Sequence, residues 1–192
     1  PLLEPTAEKV KVPKFYGLPK IHKSSFECRP IAASHSWFTT PASEYVDSIL
    51  NPIVQKMPFY IKDSKDLLRS LEGESFSKDC LLVTFDVVAL YPSIPIEEGL
   101  RAARMVLLPE YPNVLELLAF VLNNSFVQFE GQIYHQVSGT AMGTKVAPAY
   151  ANAFMAYLED QMLLLSMDAG PRFYKRFIDD GFLVWERGEA AL

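Results

Sequence analysis

Five prolines within the first thirty residues (Pro1, Pro5, Pro13, Pro19 and Pro30) deny the start of this chain any regular helix. Proline fixes φ, removes a hydrogen-bond donor and pushes the residue before it toward extended backbone. That segment therefore reads as short strands joined by turns. Over the whole chain, fourteen prolines stand against nine glycines, which argues for fixed turns rather than a helix bundle. The 192 residues suffice for one domain or two closely packed subdomains, and 49% hydrophobic content is enough for a core. No apolar run reaches the roughly 20 residues of a membrane span, and no signal peptide opens the chain. An intracellular protein, nuclear or cytoplasmic and not secreted, is the expectation. Cys28 and Cys80 lie far apart without a CxxC partner, so neither a zinc site nor a disulfide framework is indicated.

Beyond the proline-rich start, hydrophobic periodicity takes over. Thr40-Pro41 opens a helix carrying Val46, Ile49, Leu50, Ile53 and Val54 at helical spacing. Residues 63–71 read as a second, short helix. Leu81-Leu82-Val83-Thr84-Phe85-Asp86 reads as a buried strand, ended by a turn around Pro92 and Pro95. Helices are expected over 97–108, 114–122 and 146–165, and a hairpin over 126–136 with Glu130-Gly131 at its tip. Residues 172–185 read as two strands with Asp179-Asp180-Gly181 at the turn. This mixture predicts an α+β fold with an antiparallel sheet packed on helices, not a doubly wound one.

The net charge of −5 argues at first against a nucleic-acid partner, but charge is zoned along the chain. Residues 9–26 hold Lys9, Lys11, Lys14, Lys20 and Lys23 and no acid, and Arg29 follows. Arg172, Lys175 and Arg176 form a second basic group just before Asp179. Between residues 110 and 171, Lys145 is the only basic residue against six acids. A basic segment facing an acidic site across a cleft would suit a phosphate-bearing ligand held with metal ions.

Three carboxylates carry the chemistry. Asp86 ends an apolar strand, where a charge is costly unless it is solvated, paired or bound to a metal. Asp179 and Asp180 sit at a hairpin tip, and would meet Asp86 if the two strands were neighbours. Magnesium takes hard oxygen ligands, usually one or two carboxylates with the substrate's phosphates. Two such ions can activate a hydroxyl and stabilise a leaving pyrophosphate. His22, His35 and His135 share no metal-ligand spacing, and Trp37 and Trp185 read as packing groups.

Several motifs together resemble reverse transcriptases. Phe177-Ile178-Asp179-Asp180 is similar to the family's aromatic-x-Asp-Asp box. Phe85-Asp86-Val87-Val88-Ala89-Leu90-Tyr91 is similar to its strand-end Asp box, with an aromatic residue five positions after the Asp. The runs Phe15-Tyr16-Gly17-Leu18-Pro19-Lys20-Ile21-His22-Lys23, Arg29-Pro30-Ile31, Leu90-Tyr91-Pro92-Ser93-Ile94-Pro95 and Gly139-Thr140-Ala141-Met142-Gly143-Thr144 resemble more closely the enzymes of Penelope-like retroelements, relatives of telomerase. The motifs keep the family's order across residues 15–185.

The resemblance implies an RNA-directed DNA polymerase of right-hand architecture, with fingers over 1–78 and a palm with fingers-side helices and a hairpin over 79–192. By the same resemblance, the thumb that follows in the family would lie outside these residues. Asp86, Asp179 and Asp180 would be the catalytic carboxylates, holding two Mg2+ ions (Mn2+ as substitute) together with the Val87 carbonyl. Lys20 and Arg29 would grip the triphosphate, since both groups stay charged and donate several hydrogen bonds. Tyr91 would sit under the sugar and exclude a 2′-hydroxyl. Met142 and Gly143 would face the nucleotide, glycine allowing close backbone approach. Lys14, Lys23, Lys175 and Arg176 would touch nucleic acid. The implied partners are an RNA template, a DNA primer and deoxynucleoside triphosphates, with no membrane. Two other readings stand beside this one: a truncated, inactive domain that only binds nucleic acid, and an RNA-directed RNA polymerase, against which Tyr91 argues.

Overall fold

The computed structural model describes residues 10–21, 26–107, 111–165 and 170–191. The proline-punctuated start forms two strands, β1 (Lys14–Pro19) and β2 (Cys28–Ala33), paired antiparallel from Lys14↔Ala33 to Pro19↔Cys28. A hairpin distant in sequence completes their sheet. Its strands β4 (Phe126–Phe129) and β5 (Gln132–His135) turn at Glu130 and Gly131, whose φ values of 49° and 80° are those of a tight hairpin turn. β4 joins β1 in parallel, and the strand order is β2-β1-β4-β5. That parallel seam was not expected from sequence.

The second sheet has the order β3-β7-β6 and is antiparallel throughout. Its strands are β3 (Leu81–Asp86), β6 (Phe173–Phe177) and β7 (Asp180–Trp185). The expectation of a buried β3 is corrected. β3 is an edge strand, and Leu82 is 69% exposed. The apolar run reflects β pairing with β7 rather than burial on both faces.

The core lies between helices. Thr40-Pro41 opens α1 (Thr40–Val54), as proline in a first turn allows, and Val46, Leu50 and Val54 line its buried face. α2 (Ser64–Leu71) is capped by the Asp63 carboxylate, which accepts from the Asp66 amide at 2.8 Å. A single helical turn, α3 (Leu90–Ser93), occupies what reads in sequence as a plain proline turn. α4 (Ile96–Val106), α5 (Pro112–Asn123) and α6 (Ala147–Leu165) complete the set. Leu90, Ile94, Leu118, Leu122, Val146 and Tyr150 fill the space among them.

Tyr150 shows how tightly α6 packs on α4. Its hydroxyl is buried and has no hydrogen-bond partner among the described residues. It nests against Gly99 of α4, where any Cβ would overlap the phenol ring. The small residues of α4 and α6 thus serve close helix approach.

α6 is tied to the second sheet by one buried ion pair. Arg176 of β6 is 2% exposed, and its Nε and Nη2 donate to the Glu159 carboxylate at 2.5 and 3.1 Å. Nη1 donates to Asn152 Oδ1 at 2.9 Å, and the Tyr174 hydroxyl donates to Glu159 at 2.7 Å. Asn152 and Glu159 lie two helical turns apart, on one face of α6. A parallel segment holds the strand from its other side: the Arg176 amide donates to the Phe59 carbonyl, and Ile61 donates to that of Arg176.

Two stability outcomes follow from this packing. Gly99→Ala should cost about 1–3 kcal/mol in urea unfolding, because the added methyl meets an unyielding ring, whereas Tyr150→Phe should be neutral or stabilising by about 1 kcal/mol. Glu159→Ala should destabilise by roughly 3–5 kcal/mol, since it leaves a buried guanidinium without its counter-charge.

Candidate active site

The register of the second sheet decides where the carboxylates meet. Leu81 pairs with Trp185, and the ladder runs without a bulge to Asp86↔Asp180. Residues directly opposite in an antiparallel pair project from the same face, so these two aspartates stand side by side. Both are exposed. Phe177 pairs with Asp180, which leaves only Ile178 and Asp179 to make the turn. Asp180 and Gly181 are therefore strand residues rather than turn residues. Gly181 has a different function from the one its turn-like sequence implies: a Cβ there would strike the Phe85 ring. That ring lies across the sheet and stacks parallel to Tyr174, with centroids 6.1 Å apart.

Asp179 is fixed from two sides. Its carbonyl accepts the Val87 amide at 2.9 Å, which binds the turn to the end of β3. The preceding residue, Ile178, has φ of +53° and packs against the hydrophobic core. A β-branched residue in the left-handed region is a strained arrangement, of the order of 1–3 kcal/mol, and such strain gathers at functional sites. Burial raises the Asp179 carboxyl above its ordinary pKa, and the charges of Asp180 and Asp86 push it further. Its own backbone hydrogen bond and the Arg29 guanidinium pull in the opposite direction. Negative charge is thus concentrated where a cation would relieve it.

Among the described residues, no three His, Cys, Asp or Glu side chains are placed so that together they could hold a metal ion. The donors present are two side-by-side carboxylates and a third on the adjoining turn. This set suits a hard cation of the magnesium type, which takes one or two protein carboxylates and completes its shell with water and phosphate oxygens.

Other expected residues gather around this point to different degrees. Tyr91, on α3, is half-buried, and both burial and the Asp179 charge raise the pKa of its hydroxyl, so it stands within electrostatic reach of the carboxylates. Its carbonyl accepts the Thr140 amide at 2.9 Å, joining α3 to the loop that carries Met142 and Gly143. That loop runs beside β2, where the Met142 carbonyl accepts the Ala32 amide at 2.8 Å. Gly143 has φ of +124°, and a Cβ there would collide with the Ala32 carbonyl. The close approach that Gly143 permits is therefore to β2 of its own chain. Arg29 reaches toward Asp179 from the first sheet, whereas Lys20 is held by Glu27 at 2.9 Å. That pair is partly exposed, so an incoming phosphate could replace Glu27 at small cost.

The remaining basic residues divide. Lys14 is exposed at the start of β1. Lys23 lies outside the described residues. The Lys175 ammonium donates to the Pro58 carbonyl at 2.7 Å. Arg176 corrects the expectation of nucleic-acid contact: strand alternation turns it inward, and Glu159, Asn152 and the Ile178 carbonyl occupy its donors. Sequence reading missed Glu159 and Ile178. A lone glutamate on a largely apolar, alanine-rich helix was the available signal for Glu159, and Ile178 had none.

Two clefts bear on the site, and the first of them is lined in part by Asp180. One, of about 500 Å³, is lined by Phe85, Phe177, Phe182 and Asp180 on one side and by Ile61 and Leu67 on the other. The second, of about 420 Å³, opens between the first sheet and the Met142 loop and is lined by Phe15, Pro30, Ala32, Pro92, Tyr134 and Met142. No helix among the described residues is long and apolar enough to cross a membrane.

No family model matches the chain, and no curated protein matches it by sequence. Solved structures do match. A structure of apo telomerase from Candida tropicalis, truncated from its C-terminal domain, aligns with 98% of this chain and 45% of its own at a TM-score of 0.64 and 10% identity. Apo telomerase from the same organism aligns over 98% and 41% at a TM-score of 0.66 and 10% identity. Telomerase from Candida albicans, in complex with a fragment of telomeric RNA, aligns over 96% and 39% at 0.66 and 11% identity. The chain spans less than half the length of these proteins. At such identities the likeness is one of fold, and the fold is the one found in these telomerase structures.

Proposed function

We propose that this chain is the fingers-and-palm part of an RNA-directed DNA polymerase, residues 1–78 contributing to the fingers and 79–192 forming the palm with its fingers-side hairpin. The observation that carries the reading is the pairing of Asp86 with Asp180 in the β3–β7 register, with Asp179 on the adjoining turn within electrostatic reach of both. The wording of the motifs assigns it to Penelope-like retroelements, an intracellular setting, nuclear or cytoplasmic, goes with it, and the telomerase-like fold supports the wider kinship.

In this reading Asp86, Asp179 and Asp180, with the Val87 carbonyl, hold the divalent ions. When bound, two magnesium ions supply charge for the attacking hydroxyl and the leaving pyrophosphate. The chain's own residues do the rest. Arg29 and Lys20 hold the triphosphate oxygens, the first already facing the carboxylates and the second released from Glu27. Tyr91 presents its ring beside Asp179, where bulk beneath the sugar leaves no room for a 2′-hydroxyl. Met142 borders the cleft beside β2 that would receive the paired bases, and Gly143 lets its loop close against β2. The aromatic cleft at Phe85, Phe177 and Phe182 offers faces on which a primer's terminal nucleotide could stack. RNA template, DNA primer and deoxynucleoside triphosphates are the partners of this scheme.

Primer extension on an RNA template with Mg2+ tests it, and Asp179→Asn should reduce incorporation by about a hundredfold or more. Incorporation that survives the substitution would remove Asp179 from the chemistry. Template binding without extension, by wild-type protein, would favour a domain that only binds nucleic acid.

The same substitution should move stability the other way. Folding raises the Asp179 pKa, so the native state keeps a proton that the unfolded chain releases. The stability this gives is present below the unfolded pKa and is lost as pH rises through the folded one. Asp179→Asn carries no such charge, and its metal-free Tm at neutral pH should exceed that of wild type. Tyr91→Ala should narrow the preference for deoxynucleotides over ribonucleotides by about tenfold or more in competition assays.

A further inference from the structure

The buried Arg176 is joined to more than α6. Its Nη1 donates to the Ile178 carbonyl at 2.7 Å, the carbonyl of the peptide unit that leads into Asp179. Ile178 holds a left-handed conformation that its branched side chain disfavours, so something must hold the turn in place. Two hydrogen bonds do so on either side of the aspartate. Arg176 takes the carbonyl before it, and the Val87 amide takes its own. The guanidinium cannot swing away, because Glu159 grips it through Nε and Nη2 and Asn152 accepts from Nη1. Its backbone is held as well, through Phe59 and Ile61.

We infer that Arg176 is a positioning residue for Asp179: clamped by Glu159 and Asn152 of α6, it fixes the Ile178 carbonyl and thereby the strained turn that aims the carboxylate. The inference rests on the reading of Asp179 given above only for its catalytic consequence. The positioning itself is a property of the turn and can be measured without turnover. A guanidinium suits the task because it donates from one rigid plane to three acceptors at once, whereas an ammonium keeps the charge without that fork.

The test compares Arg176→Lys with Tyr174→Phe in the full chain. Tyr174→Phe removes one hydrogen bond to Glu159 and leaves the Ile178 contact intact. Amide hydrogen exchange is read at Val87, whose amide donates to Asp179, and at Ile61, whose amide donates to the Arg176 carbonyl. Arg176→Lys should speed exchange at Val87 by about tenfold or more while Ile61 stays near its wild-type rate, the mark of local opening at the turn. Tyr174→Phe should leave both rates alone even where it lowers Tm. If Arg176→Lys does not fold, Glu159→Gln, which keeps the shape and weakens the clamp, should give the same local pattern.

Binding of Mn2+ alone and primer extension complete the experiment. Arg176→Lys should weaken Mn2+ binding and lower kcat by about tenfold or more with KM for the nucleotide little changed, as expected for a displaced group. Equal acceleration at Val87 and Ile61, or none at either, would overturn the positioning and leave Arg176 as a strut between sheet and helix. A wild-type protein that neither binds Mn2+ nor extends a primer would instead overturn the catalytic reading, and the exchange rates would still decide the positioning.

Discussion

The register between β3 and β7 is the constraint from which the site follows. Side chains alternate with a period of two, so a slip of one residue would send Asp86 to one face and Asp180 to the other. Three features prevent such a slip. The two-residue turn at Ile178-Asp179 fixes β7 against β6, Phe85 occupies the space that Gly181 leaves open, and the Val87 amide closes on Asp179. Each involves a residue within two positions of a carboxylate. The apolar strand is therefore less a piece of core than a ruler that delivers Asp86 to a set height.

Behind that sheet, electrostatics are arranged in two layers of opposite character. On the inner side a cation is buried and fully paired: Arg176 with Glu159, supported by Tyr174 and Asn152. On the outer side Asp86 and Asp180 stand side by side with Asp179 on the adjoining turn, and burial first, then the charges of Asp180 and Asp86, makes Asp179 hold its proton more tightly, against the pull of Arg29. The inner pair is satisfied and serves structure. The outer group is unsatisfied and is the part that calls for a cation. The chain's net charge of −5 is read correctly only with this separation in view, since it sums over zones of opposite sign.

Much of the fold was legible because it depends on local rules. Pro41 marked the start of α1, Asp63 capped α2, and Glu130-Gly131 formed the hairpin tip, all as residue chemistry dictates. What escaped depends on partners distant in sequence. Nothing in Lys14 or Gln128 announces that β1 and β4 run side by side in parallel. Leu82 looks like core in its own segment and is exposed on an edge strand of the folded chain. Arg176 looks like one of three surface cations, and only alternation along β6, together with Glu159 seventeen residues earlier, turns it inward. The three carboxylates were legible as a group because motif order carried them. Their side-by-side placement was not, because register is a property of two strands.

The central claim is that Asp86, Asp179 and Asp180 form a divalent-cation site on the β3–β7 face. Anomalous diffraction from crystals soaked in Mn2+ tests it most directly. The account predicts a peak within coordination distance, about 2.0–2.2 Å, of oxygens from Asp86 and Asp179, and its loss in Asp179→Asn crystals. Well-diffracting soaked crystals with no peak at these carboxylates, or with the ion held elsewhere on the chain, would contradict it.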